Sequence, residues 1–143
     1  MTSDLNFAVA LLTIRIIAGV LFLFQGYDKI FNIGYTEIRQ TMKAGFGNKH
    51  FPDALISVMA SFSSWVELLC GILLILGFMK YYAIYLLCLD LMIVVLGHSL
   101  TKPMWENNQI YIRLALLLIL LVTPVEWDRI SIDYLYALTK LTV

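Results

Sequence analysis

The sequence predicts an all-α integral membrane protein. Its expected form is a four-helix transmembrane bundle, with a short interfacial helix between helices 1 and 2 and an amphipathic C-terminal helix. Three observations carry this. Hydrophobic residues make up 61% of the 143 residues and charged residues 14%, with a mean hydropathy of +0.84; soluble domains run at about 45–50% apolar and 25% charged. The apolar residues gather in four runs, at 7–31, 54–79, 81–101 and 109–124, against the roughly 20 residues that span a bilayer core. Within each run they occupy nearly every face, as in helices surrounded by lipid and by each other, without the alternation of barrel strands.

The first run, FAVALLTIRIIAGVLFLFQGYDKIF, follows MTSDLN, which has no basic residue, and no A-x-A-like site comes after it. It is expected to persist as a helix, unlike a cleaved signal peptide. In the link NIGYTEIRQTMKAGFGNKHFP, Ile38, Met42 and Phe46 recur every four residues, and Gly45 and Gly47 end the pattern. This predicts a short amphipathic helix in the interface. Pro52 is placed to open the second helix. GFMKYY predicts a tight hairpin, and Pro103 in KPMWENN breaks the chain between the third and fourth runs. The fourth run is the shortest and needs Trp105 and Trp127 as interface anchors. In the tail, Ile132, Leu135, Leu138 and Leu141 share one face, with Ser131 placed as the cap. No repeat or linker divides residues 1–143, which are expected to form one transmembrane domain.

Formal net charge is zero and basic residues do not cluster, which excludes nucleic acid as a partner. One side carries Lys29, Arg39, Lys43, Lys49 and Lys102, the other Lys80, Arg129 and Lys140. The bias favours the first side as cytoplasmic.

By depth, four charges fall inside the hydrocarbon slab: Arg15, Glu67, Asp90 and Arg113. Each costs about 2.5–3.5 kcal/mol at a helix centre if unpaired. Counted at about 1.5 Å per residue from the N-terminal side, Arg15 and Asp90 lie at similar depth and are the expected pair. Glu67 lies between Arg15 and Arg113, within reach of either. Gln25 and His98 lie deeper, near the far side. Such a network has two readings. It fixes helix register, as polar groups do between membrane helices, or it lines a polar cavity for a ligand or a proton relay. The second accounts better for six polar residues spread over four helices. His98 and His50 lack metal-ligand spacing, so no metal is expected. No Ser/His/Asp set, phosphate loop or nucleotide fingerprint marks a catalytic centre. Cys70 and Cys88 flank the hairpin at matched depth; they are a redox couple or, more plainly, small buried hydrophobes.

RIIAGVLFLFQGYDKI resembles the first helix of DoxX-like membrane proteins, through Arg15, Gly19, Gly26 and Lys29. ELLCGILLILGF is similar to that family's second-helix pattern, through Glu67, Gly71 and Gly77, and Ser131 and Asp133 in DRISIDYL resemble its S-x-D ending. Many members carry an asparagine near the start of the fourth helix, a place open to Asn107 or Asn108, while Arg113 departs from the pattern. The resemblance implies a small four-helix membrane protein. One related branch supplies a membrane subunit of thiosulfate:quinone oxidoreductase, and others accompany redox enzymes or the maturation of membrane and secreted proteins.

The expectation is a multi-pass protein of the bacterial cytoplasmic membrane, acting as a membrane subunit of a redox system. It would bind a quinone or small anion among Arg15, Gln25, Glu67, Asp90, His98 and Arg113, with no intrinsic cofactor. Its expected partners are the lipid bilayer, a redox protein and a second copy of itself. The alternatives are a scaffold or assembly factor, or a small transporter, with a purely structural charge network.

Overall fold

The computed structural model describes residues 2–46, 52–101 and 108–141. Every regular element among them is helical. Helix α1, Thr2–Tyr27, continues without a break into a π-helical turn, Asp28–Ile33; α2 is Tyr35–Phe46, α3 Asp53–Leu76, α4 Lys80–Thr101, α5 Asn108–Val122 and α6 Ile132–Leu141, with a 3-10 turn at Val125–Trp127 before α6. Three helical stretches are long and apolar enough to cross a membrane: Leu5–Ile33, Asp53–Leu76 and Lys80–Gly97. The expected fourth, α5, is apolar but has 15 residues, about 22 Å of helix against a hydrocarbon core of about 30 Å. It packs on α1 and α4 and completes the bundle.

The core is built by inward positions at helical spacing. Ala18 and Phe22 of α1, Cys70 and Leu74 of α3, Ala83, Ile84 and Leu87 of α4, and Leu117 and Leu120 of α5 form one buried cluster. The opposite faces are apolar too: Val58, Tyr82, Leu96 and Val122 stay largely uncovered. A helix apolar on all sides has a protein face and a lipid face.

The closest seam joins α1 to α3. A Cβ on Gly19 would lie 2.9 Å from the Gly71 carbonyl oxygen, one on Gly71 would lie 2.6 Å from the Leu23 nitrogen, and one on Gly26 would meet the Leu68 backbone. Helices in lipid gain nothing hydrophobic from association, so small residues that let backbones touch supply the contact. This gives the glycines of the first two helices a physical role.

The hairpin between α3 and α4 closes on Gly77, at φ 66°. The Gly77 N–H donates to the Leu74 carbonyl and the Phe78 N–H to the Leu73 carbonyl, the paired bonds of a Schellman ending. The tail then returns over this hairpin. Asp133 accepts hydrogen bonds from the Met79 and Lys80 N–H groups, both at 2.8 Å, while its own N–H donates to the Gly77 carbonyl at 3.0 Å. Ser131 caps α6 as expected, accepting from the Tyr134 N–H at 3.1 Å. Trp127 stacks on Phe7 with 4.9 Å between ring centroids, so the end of the bundle chain lies beside its beginning.

Two sequence expectations are corrected. Pro52 occupies the N-cap position, one residue before α3 begins. Gly45 lies within α2, which runs to Phe46; Gly47 lies outside the described residues, as do Trp105 and Asn107. Ile38 and Met42 are half-buried, as an amphipathic α2 against α3 requires.

Candidate functional site

The polar residues inside the bundle form two clusters at different depths. The first lies at the hairpin end. Arg15 Nη1 donates to both Asp128 carboxylate oxygens at 2.9 Å, and Nη2 donates to the Ile130 carbonyl at 2.6 Å. Lys80 Nζ lies 3.6 Å from the same carboxylate and 5.0 Å from the Tyr81 ring centroid. Arg15, Lys80 and Asp128 are each 1% exposed. The guanidinium also fills the space where a Cβ on Gly77 would sit. This cluster ties the tail to α1 and to the hairpin.

The expected Arg15–Asp90 pair is therefore not formed. The reason is the tail. Residues 125–131 fold back onto the N-terminal half of α1 and deliver a carboxylate from outside the four runs, which depth counting along the runs does not include. Lys80 likewise leaves the set of exposed basic residues used to orient the chain, because burial and Asp128 hold it inside.

The second cluster draws one charged side chain from each of the four long helical segments. Lys29 comes from the π-helical turn at the end of α1, Glu67 from α3, Asp90 from α4 and Arg113 from α5. Each sits on its helix's inward stripe: Ala60, Ser63, Glu67, Cys70 and Leu74 on α3; Leu87, Asp90 and Leu91 on α4; Ile110, Arg113 and Leu117 on α5. Lys29 Nζ donates to Ser63 Oγ at 2.9 Å and lies 2.6 Å from Glu67 Oε2. Lys29 is 19% exposed at its side chain, whereas Glu67 and Asp90 are fully buried. Asp90 and Arg113 both act on Glu67 electrostatically, and Ser63, Lys29, Glu67 and Arg113 act on Asp90. Arg113 also lies over Phe22, 5.9 Å from the ring centroid. Ten residues of α3 separate Gly77, against Arg15, from Glu67, which sets the clusters about 15 Å apart along the bundle.

Both carboxylates are under-bonded. By strict hydrogen-bond geometry the oxygens of Glu67 and Asp90 and the buried Gln25 Oε1 have no donor among the described residues, although Ser63 and Glu67 lie within hydrogen-bonding reach of Asp90. Lys29 approaches Glu67 as an ion pair, outside hydrogen-bond angles. Gln25 stands one turn before Lys29 on the same side of α1. The π-helical turn itself is a local widening of the helix; such turns recur at functional sites. Here it holds Lys29, which like Arg113 is only partly buried, beside the fully buried Glu67 and Asp90.

The clustered glutamate, the seam glycines, the lysine that ends the first helix and the tail aspartate thus all have defined structural tasks. A DoxX family model matches residues 10–99, more than half of the chain. The chain belongs to the DoxX family. No curated protein and no solved structure matched it. In this DoxX-family protein the matched segment runs from α1 through most of α4, so it contains Arg15, Lys29, Glu67 and Asp90 and excludes Arg113 and Asp128.

Of the other residues singled out, His98 lies in α4, but its side chain is outside the described residues. Cys70 and Cys88 are both free thiols; Cys70 is in the core and Cys88 packs against it, half-buried. Among the described residues, no three His, Cys, Asp or Glu side chains come together as metal ligands. A groove of about 450 Å³ bordered by Tyr35, Phe62 and Trp65 opens on the outer side of α3, away from the charged residues.

Sequence reasoning missed Lys29, Ser63, Lys80 and Asp128. Ser63 carried a signal, being one turn before Glu67. Lys29 carried another, as the basic residue of the first-helix pattern. Asp128 carried none, because only the folded tail brings it to Arg15.

Proposed function

We propose that residues 1–143 work as one DoxX-like unit in a bacterial cytoplasmic membrane, as the membrane subunit of a redox system that binds a quinone head group or small anion at the Lys29–Glu67–Asp90–Arg113 cluster. One observation carries this reading. Two buried carboxyl groups, drawn from adjacent helices, lack hydrogen bonds that the hairpin-end cluster supplies to Asp128 in full. An unsatisfied buried polar group costs about 1–3 kcal/mol and more when charged; the hairpin-end cluster leaves two nitrogens, Arg15 Nε and Lys80 Nζ, in that state, whereas the second cluster leaves carboxylate oxygens. Unsatisfied oxygens in a bundle interior therefore favour a site meant for a further group.

The chemistry available is polar positioning. Lys29 and Arg113 hold positive charge near an oxygen-bearing ligand, and Ser63 supplies a hydroxyl. A protonated carboxyl at Glu67 or Asp90 donates a hydrogen bond or a proton to a carbonyl oxygen. In this reading electrons come from a partner redox protein.

The test is titration of decylubiquinone into purified protein, followed by tryptophan fluorescence. Saturable binding that weakens in Glu67→Gln and Asp90→Asn is expected. Absent binding, or binding unchanged in both variants, overturns the reading in favour of a scaffold.

A further inference from the structure

The groove on the outer side of α3 changes character along its length. At the α2 end, the Tyr35 hydroxyl lies within hydrogen-bonding reach of the Ser57 and Ser61 hydroxyls. Val58 flanks them, and Phe62 and Trp65 continue the wall. Trp65 stands about 12 Å beyond Ser57 along α3, towards the middle of the span. Basic charge stands at the polar end. Arg39 and Lys43 follow Tyr35 at intervals of four on α2, so the three share one face. Their acidic partner is Asp53, at the start of α3. Lys43 Nζ lies 2.5 Å from its carboxylate, while Arg39 Nη2 reaches it only at 3.7 Å, longer than a hydrogen bond. Two cations against one carboxylate leave one positive charge over, on an arginine side chain that is 40% exposed. Glu37 lies on the opposite face of α2, about 160° round from Arg39, and Asp28 accepts a hydrogen bond from Asn32.

We propose that this groove seats an anionic phospholipid from the leaflet at the α2 end. The order of groups along the groove matches such a molecule. Its phosphate meets Arg39 and Lys43, its ester oxygens accept from the Tyr35, Ser57 and Ser61 hydroxyls, and one acyl chain runs along Phe62 and Trp65. A guanidinium pairs with phosphate through two parallel hydrogen bonds, which Arg39 has not given to Asp53. Charge selects this occupant over a second copy of the chain. Two copies docked face to face would set their Arg39 and Lys43 side chains beside one another, and like charges across an interface repel. An anionic head group neutralises the surplus instead. The same end carries the basic excess that favours the cytoplasmic side, where anionic lipids attract basic segments near the membrane surface. The seated lipid would bridge α2 to α3, on the far side of α3 from Glu67.

The experiment reads Trp65 fluorescence in phosphatidylcholine vesicles that carry a minor fraction of phospholipid brominated at mid-chain. Trp105→Phe and Trp127→Phe in the full chain leave Trp65 as the sole tryptophan. Relative association, read from quenching, should favour brominated phosphatidylglycerol over brominated phosphatidylcholine by about fivefold, as one basic side chain near a membrane surface supplies. Arg39→Gln should bring the ratio near one. Glu37→Gln removes a negative charge from the same end but from the opposite face of α2, and should leave the ratio unchanged. Equal association of the two lipids overturns the proposal. So does a ratio that rises in Glu37→Gln as much as it falls in Arg39→Gln, which marks diffuse attraction without a seat. Quenching by neither lipid also overturns it, in favour of a face covered by protein. Should the tryptophan variants fail to fold, phospholipid extracted from the purified wild-type protein gives a second readout. Phosphatidylglycerol enriched several-fold over its share of the source membrane is expected, and a share equal to that membrane's overturns the proposal.

Discussion

The Arg15 guanidinium and the Asp128 carboxylate meet through two hydrogen bonds of 2.9 Å, across 113 residues of chain. One partner lies in the middle of the first membrane helix and the other in the tail, beyond every apolar run. Their union closes the bundle: it buries an arginine that lipid would reject and pins residues 125–133 against the α3–α4 hairpin.

Asp128→Ala should therefore destabilise the protein by about 3–5 kcal/mol, the cost of stranding a buried charge. Glu126→Ala, two residues away and exposed, should change little. Thermal unfolding in detergent measures both. The double variant Arg15→Met/Asp128→Leu should recover much of the loss, since an apolar pair strands no charge. Equal melting of Asp128→Ala and Glu126→Ala would remove the closing role.

The lysine–carboxylate pairs Lys29–Glu67 and Lys43–Asp53 offer a comparison at matched distance. Lys29–Glu67 is 2.6 Å with a buried carboxylate; Lys43–Asp53 is 2.5 Å with a side chain 63% exposed on the acid. Double-mutant cycles should give Lys43–Asp53 a coupling of about 0.2–1 kcal/mol, falling with added salt. Lys29–Glu67 should give a larger coupling that salt barely moves, because ions do not enter the bundle. Matching values for the two would show that Lys29 is as hydrated as Lys43.

Two glycines should respond in opposite directions to alanine. Gly77 combines a φ of 66° with the Arg15 guanidinium standing where the Cβ would go. Gly77→Ala should cost about 1–2 kcal/mol from the backbone alone, with the clash added. A Cβ on Gly97, inside α4, meets nothing within 4 Å among the described residues, so Gly97→Ala should stabilise by up to about 1 kcal/mol through helix propensity. Unfolding curves of the two variants decide this.

The tail position also sets topology. Cysteines placed at Leu5 and at Lys140 should label from one side of the membrane with an impermeant thiol reagent, and a cysteine at Arg39 from the other. Cys70 is buried and should stay silent. Labelling of the Leu5 and Lys140 positions from opposite sides would require an odd number of crossings.

The sequence alone determined the helical class, the hairpin, the interfacial α2 and the Ser131 cap. These depend on apolar content, spacing of three and four, and turn residues, all local along the chain. It also determined that Glu67, Asp90 and Arg113 face inward, because lipid tolerates few unpaired charges on a helix. Only the tertiary structure decided the partners. Pairing depends on how helices rotate and slide against one another, and that is set by backbone contact at Gly19, Gly26 and Gly71 and by a tail that turns back into the bundle. Counting along apolar runs assigned Arg15 to Asp90 because both lie at similar depth. The fold gave Arg15 to Asp128 instead, and so left Glu67 and Asp90 to Lys29, Ser63 and Arg113. The physical reason is that burial demands a partner for each charge but does not specify which one; the choice falls to whichever chain segment packing brings within hydrogen-bonding distance.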